Sequence, residues 1–174
     1  VPGMGPIVQT ALGQLSGATV HGVHSFLGVP FAAPTGGANR LRPPQPVEPW
    51  SGVRDATRMG PAPPQVAPPE SAGAEWDSAA TGDDCLTLNI WTPELGTGGL
   101  PVMLWIQGGM FEIGSAAAYD GTHFARDGVV CVVINWRVGA DRFRCLEAGT
   151  GNLGLLAQIA AFAWGRDHLS SVGG

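Results

Sequence analysis

Apolar and polar positions alternate in short runs at the start of this chain. Ile7-Val-Gln-Thr10, Gly13-Gln-Leu-Ser16 and Phe26-Leu-Gly-Val-Pro-Phe31 have the lengths and flanking glycines of short strands joined by tight turns. Further on, Leu86, Leu88 and Ile90 alternate with Thr87 and Asn89, a strand pattern with period two. Two later runs do not alternate. Val102-Met-Leu-Trp-Ile106 and Val129-Val-Cys-Val-Val-Ile-Asn-Trp136 are almost continuously apolar, which reads as strands buried on both faces. A short helix is expected near Thr122 to Arg126. Near the C-terminus the spacing changes again: Leu155, Leu156, Ile159 and Phe162 recur at helical intervals, predicting a helix that packs this apolar face on a sheet. Between the first strands and Leu86 lies a long irregular stretch, Thr35 to Ala80. Its proline-rich part, Pro61 to Pro69, is expected to be extended and exposed.

A chain of 174 residues is long enough for one domain with a real core, burying about 70% of the surface of the unfolded chain. The formal net charge of −5 gives no reason to expect nucleic acid or an anionic membrane as partner. No 18-residue apolar run exists, so no transmembrane span is expected. The first residues, Val1-Pro-Gly-Met-Gly-Pro6, lack a basic region followed by an apolar core, so a signal peptide is absent or already removed. That leaves cytoplasmic and secreted locations both open. Cys85, Cys131 and Cys145 are an odd set with no CxxC and no metal-ligand spacing, and they read as free buried thiols. No metal and no cofactor is expected.

The candidate chemistry lies where the run 102–106 stops. Gln107-Gly-Gly109 follows it directly, then Met110-Phe111 and Gly114-Ser115. Adjacent glycines after a buried strand allow a sharp turn and a close approach. In an α/β sheet the loop at the carboxyl end of a strand is where ligands sit. Backbone N–H groups in such a loop are free to meet developing negative charge.

Trp105-Ile-Gln-Gly-Gly-Met-Phe111 resembles the oxyanion-hole segment of the type-B carboxylesterases, the family that includes the cholinesterases. Members usually carry His-Gly-Gly-Gly-Phe or Tyr-Gly-Gly-Gly-Phe there. Other stretches resemble the same family in the same order: Phe26-Leu-Gly-Val-Pro-Phe-Ala-Ala-Pro34, Arg40-Leu-Arg-Pro-Pro43, Trp50-Ser-Gly-Val-Arg-Asp-Ala-Thr57, Gly60-Pro61, Asp83-Asp-Cys-Leu-Thr-Leu-Asn89, Asn135-Trp-Arg-Val-Gly139 and Gly151-Asn-Leu-Gly-Leu155 with its continuation to Asp167. The resemblance implies an α/β-hydrolase fold, of which residues 1–174 form the N-terminal part of a single domain. A small antiparallel sheet would lead into a larger mixed sheet with flanking helices. It implies that the N–H groups of Gly109 and Met110 form the oxyanion hole. The disulfide that some members make from the Cys85 position is not expected, because its partner position is Pro63.

The resemblance also marks departures. Gln107 and Met110 replace the usual aromatic or histidine and the third glycine. Met110 pays most if its backbone must take positive φ. Arginines matching Arg40 and Arg137 pair in the family with acids, among them those matching Asp83 and Ala157, so Ala157 removes one partner. Asp141-Arg142 and Arg144 stand where the family is apolar. These changes read as erosion or repurposing.

No Gly-x-Ser-x-Gly occurs in the sequence. In this fold the acid and histidine follow the serine in chain order, and the elbow is expected beyond Gly174. His21, His24, His123 and His168 read as ordinary histidines, Ser115 as a turn or cap hydroxyl, and Glu112 as a solvated loop carboxylate that could alternatively face a cationic substrate. Two functions follow. In one, the chain is part of a serine carboxylesterase whose intact form hydrolyses small-molecule esters, and the chain alone is inactive. In the other, it is a non-catalytic cholinesterase-like binding or adhesion module. With the strand leading to the nucleophile absent, 102–106 is expected to be a bare sheet edge, open to a C-terminal half or to self-association.

Overall fold

A computed structural model describes residues 5–66, 80–96, 98–140 and 151–174. Among the described residues eight strands and two α-helices follow the chain: β1 (Ile7–Gln9), β2 (Gln14–Ser16), β3 (Ala18–Val20), β4 (Val23–Pro30), β5 (Val53–Asp55), β6 (Thr87–Thr92), β7 (Val102–Ile106), α1 (Thr122–Arg126), β8 (Val130–Ile134) and α2 (Leu153–His168). The smaller sheet has the order β1-β2-β5. The β1–β2 pair is the expected antiparallel hairpin, and β5 adds a parallel third strand. The larger sheet runs β3-β4-β6-β8-β7, antiparallel up to β8 and parallel between β8 and β7. It is the mixed sheet of a partial α/β-hydrolase fold.

Two side-chain layers sandwich this larger sheet. On one face Leu88, Ile90, Val130, Val132 and Ile134 pack with Ala157, Ala161 and Trp164 of α2, and Leu104 joins them. On the other, Trp91, Cys131 and Val133 pack with Ala125 of α1, joined by Met103 and Tyr119. The alternation Val132/Val133 and Leu104/Met103 is the strand period at work. Every residue of β8 is buried, and Leu86, Leu88 and Ile90 are fully enclosed. Cys85 and Cys131 are free and buried, and burial pushes both thiols up to about 11. They are therefore inert at neutral pH.

Four expectations change. The run 102–106 is a strand but is not buried on both faces: β7 is the outer strand, and Val102, Trp105 and Ile106 are about two-fifths exposed. Among the described strands only β8 pairs with it, which leaves one side of its backbone ladder without a strand partner there. The helix 153–168 forms, but with the other face inward. Leu155, Ile159 and Phe162 are exposed, Ile159 at 62%, while Leu153, Ala157, Ala161 and Trp164 are buried. Small side chains let α2 lie close to a sheet already filled by valine and isoleucine. The long stretch after Pro34 is not wholly irregular, since it holds a 3₁₀ turn at Gly37–Asn39 and β5. Within the proline-rich part, Ala62 and Pro63 are buried rather than exposed, and residues 67–69 lie outside the described residues.

Candidate active-site loop

Parallel pairing of β7 with β8 brings the loops at their carboxyl ends together. The first loop, 107–115, turns tightly. Glu112 and Ile113 N–H groups both donate to the Gly109 carbonyl, at 3.0 and 3.1 Å. The turn needs left-handed backbone: φ is +128° at Gly109, +54° at Met110 and +68° at Phe111. Gly109 has no substitute. A Cβ there would sit 1.9 Å from the Ile113 carbonyl oxygen. Met110 carries the strain foreseen for it, which for a non-glycine residue costs about 1–3 kcal/mol. Its side chain escapes a clash by pointing outward, 80% exposed. Among the described residues, neither the Gly109 nor the Met110 N–H donates to a protein acceptor.

Three contacts pin this loop to the segment after β8. Asn135, buried, accepts from the Ala116 N–H at 2.7 Å. The Phe111 ring meets Trp136 edge to face with centroids 5.7 Å apart. The Gly139 N–H donates to the Phe111 carbonyl at 2.9 Å. A fourth contact comes from the proline-rich segment. The Gln65 side-chain amide accepts from the Gly114 N–H at 2.8 Å and donates to the Gly114 carbonyl at 2.9 Å. Asn135 reaches the same segment through Nδ2, which donates to the Pro61 carbonyl. Gln65 carries no signal of this role in the sequence. Asn135 is marked only as part of Asn-Trp-Arg-Val-Gly.

Gln107 is 2% exposed, and neither its Nε2 nor its Oε1 has a hydrogen-bond partner among the described residues. Its amide lies beneath Gly114, where a Cβ would come within 3.0 Å of Nε2. Burying an unsatisfied amide costs about 1–3 kcal/mol, so Gln107 is a real departure from a well-satisfied loop.

The remaining candidates fall where their plain readings put them. Ser115 Oγ accepts from the Ala117 N–H and caps a 3₁₀ turn. Glu112 is exposed. His24 Nδ1 lies 2.8 Å from Thr19 Oγ1. Ser171 Oγ donates to the His168 main-chain carbonyl at 2.7 Å, and among the described residues no histidine ring is hydrogen-bonded to a serine hydroxyl. Arg137 is buried and donates to the Arg42 carbonyl. The resemblance implies that Asp83 pairs with an arginine, but among the described residues Asp83 has no ion-pair partner. The departures Asp141, Arg142 and Arg144, with Cys145, lie outside the described residues.

The model of the carboxylesterase family matches residues 4–174. The chain belongs to the carboxylesterase family. This carboxylesterase chain is 43% identical over 163 residues to the fumonisin B1 esterase of Sphingopyxis macrogoltabida, covering 87% of this chain and 30% of the relative. It is 39% identical to the para-nitrobenzyl esterase of Bacillus subtilis strain 168, covering 97% and 36%. A solved para-nitrobenzyl esterase superimposes with a TM-score of 0.88 at 39% identity, over 97% of this chain and 36% of that one. The carboxylesterase of Geobacillus stearothermophilus gives 0.85 at 38% identity, over 97% and 36%. The chain thus spans about a third of the length of these relatives.

Proposed function

We propose that this chain is the N-terminal part of a single α/β-hydrolase domain that hydrolyses carboxylic esters, and that it contributes the oxyanion hole. The observation that carries this reading is the pair of uncommitted N–H groups of Gly109 and Met110, on a braced loop at the carboxyl end of a parallel strand. In the intact enzyme a serine attacks the ester carbonyl, a histidine takes and returns the proton, and these two N–H groups hold the oxyanion. The braces matter because preorganised donors avoid reorganising as the charge develops. Serine, acid and base come from sequence outside these 174 residues, and the chain alone is inactive. The outer strand β7 is the surface on which that complement pairs, and without it copies of the chain associate there.

The test is a chimera: residues 1–174 joined to the C-terminal part of the Bacillus subtilis para-nitrobenzyl esterase. Saturable hydrolysis of p-nitrophenyl acetate is expected, with none from residues 1–174 alone. A chimera that folds and takes a phosphonate on its serine, yet turns over no ester, would sink the oxyanion assignment. The unsatisfied Gln107 amide and the strained Met110 favour a second reading, a non-catalytic binding module. That result would support it.

A further inference from the structure

On the face of the larger sheet covered by α1, a cavity of about 390 Å³ opens between the β3–β4 hairpin, β6 and residues 117–122. Its walls are mainly apolar: Val23, Leu27, Met59, Trp91 and Tyr119. Two of these are aromatic and held by packing. Trp91 is only 5% exposed and sits in the core layer of this face, and the Tyr119 ring packs against Trp105 with centroids 5.6 Å apart. Asp120 is the one charged residue among the described residues lining the cavity. Its carboxylate is held in place. Oδ1 accepts from both the Thr122 N–H, at 2.9 Å, and the Thr122 hydroxyl, at 2.5 Å. Oδ2 has no hydrogen-bond partner among the described residues.

We propose that this cavity binds a small organic cation, an alkylammonium carrying an aromatic or branched alkyl group. Each part of that description follows from the lining. A fixed carboxylate with one unused oxygen selects positive charge and rejects anions. Largely apolar walls disfavour a bare inorganic cation, which would give up strongly bound water for too few oxygens. Trp91 and Tyr119 bring to the lining the aromatic rings that quaternary ammonium groups favour. The volume lies in the range of small-molecule sites. Asp120 stays ionised: its bonds from Thr122 hold the carboxyl below the usual carboxylate range, helped by His123 and Arg126. Both residues sit on α1 and outside the lining, and the Arg126 charge weakens the attraction for a ligand without blocking the cavity. The assignment does not depend on the esterase reading, since no residue of the 107–115 loop lines this cavity.

Titration of the 174-residue chain with benzyltrimethylammonium, followed by NMR, tests it. Saturable shifts of the Trp91 indole N–H and the Thr122 amide are expected. Benzyl alcohol should bind about fivefold more weakly or worse, and benzenesulfonate should not bind. Asp120→Asn and Asp120→Ser both keep an acceptor for the Thr122 N–H and should weaken the cation at least about fivefold. Ala118→Trp, which fills the cavity and leaves Asp120 in place, should abolish binding. Equal binding of the alcohol and the cation, binding that survives either Asp120 variant, or no saturable shift at Trp91 would each overturn the proposal. If the Asp120 variants fail to fold, the three probes on the unaltered chain and on Ala118→Trp decide it.

Discussion

β7 and β8 are both five-residue strands of uncharged, mostly apolar side chains, paired with each other in parallel, and they have opposite fates. Every residue of Val130-Cys-Val-Val-Ile134 is buried, whereas no residue of Val102-Met-Leu-Trp-Ile106 is fully buried and three are exposed. Composition is not the cause. β8 has β6 on one side and β7 on the other, while β7 has β8 alone. A run of apolar residues says that a strand wants partners, and the number it finds is a property of the topology. The same distinction separates the two faces of α2. Ala157 and Ala161 meet the sheet, while Leu155, Ile159 and Phe162, the more hydrophobic set, are exposed.

The contrast breaks most sharply under charge. Val132→Asp in β8 buries an unpaired carboxylate and should cost about 4 kcal/mol or more, close to the whole stability of a small domain. Val102→Lys in β7 should cost about 1 kcal/mol or less by urea denaturation, and should reduce self-association in sedimentation runs over a concentration series. Equal destabilisation by the two would mean that the β7 edge is covered in solution.

A second test moves to the loop that β7 feeds. In the chimera, Gly109→Ala should lower kcat about 10²-fold or more, because a Cβ cannot fit against the Ile113 carbonyl and the donor N–H must move. Met110→Gly should act the other way and less strongly, raising kcat more than it changes KM, because an oxyanion contact tightens in the transition state. Unchanged kcat would show that the φ of +54° at Met110 is held without distorting the donors.

The smallest effect lies at the far end of α2. Burial holds the His168 imidazole below its ordinary 6.5, with Asp167 opposing more weakly. The folded state thus prefers the neutral ring. Its contribution is in place above pH 6.5 and is lost as pH falls through that value towards the lower folded one. His168→Gln should flatten the slope of stability against pH in this window, read from urea midpoints at pH 7.5 and 5.5. A slope that stays the same would assign it to the carboxylates.

Much of this was legible because local chemistry and topology agreed. The helix at Thr122–Arg126, the alternation of β6 and the strand character of β7 and β8 follow from spacing alone. β5 could not be seen, because three residues inside a proline-rich stretch form a strand only through pairing with β2, nearly forty positions away. β3 has no alternation to show. The inward face of α2 was missed because helical spacing identifies an apolar stripe but not whether a sheet or solvent lies beyond it. In the loop, the sharp turn at Gly109 was legible from the adjacent glycines. Gln65 was not, since a glutamine after two prolines looks like any surface amide until the fold sets it against Gly114.

The order of strands has a consequence for how the chain is made. β8 lies between β6 and β7 in space, yet it follows both in sequence. A ribosome adding about 5–20 residues per second finishes β7 some seconds before β8 is complete. β7 likewise leaves the exit tunnel some seconds before β8 does, and for that time β6 and β7 are both open to the cell while the strand that will join them is still inside. Neither can close on the other in the native arrangement, because the gap is one strand wide. The nascent chain therefore passes through a window in which a chaperone that shields β-edges can act on β6 and β7 together.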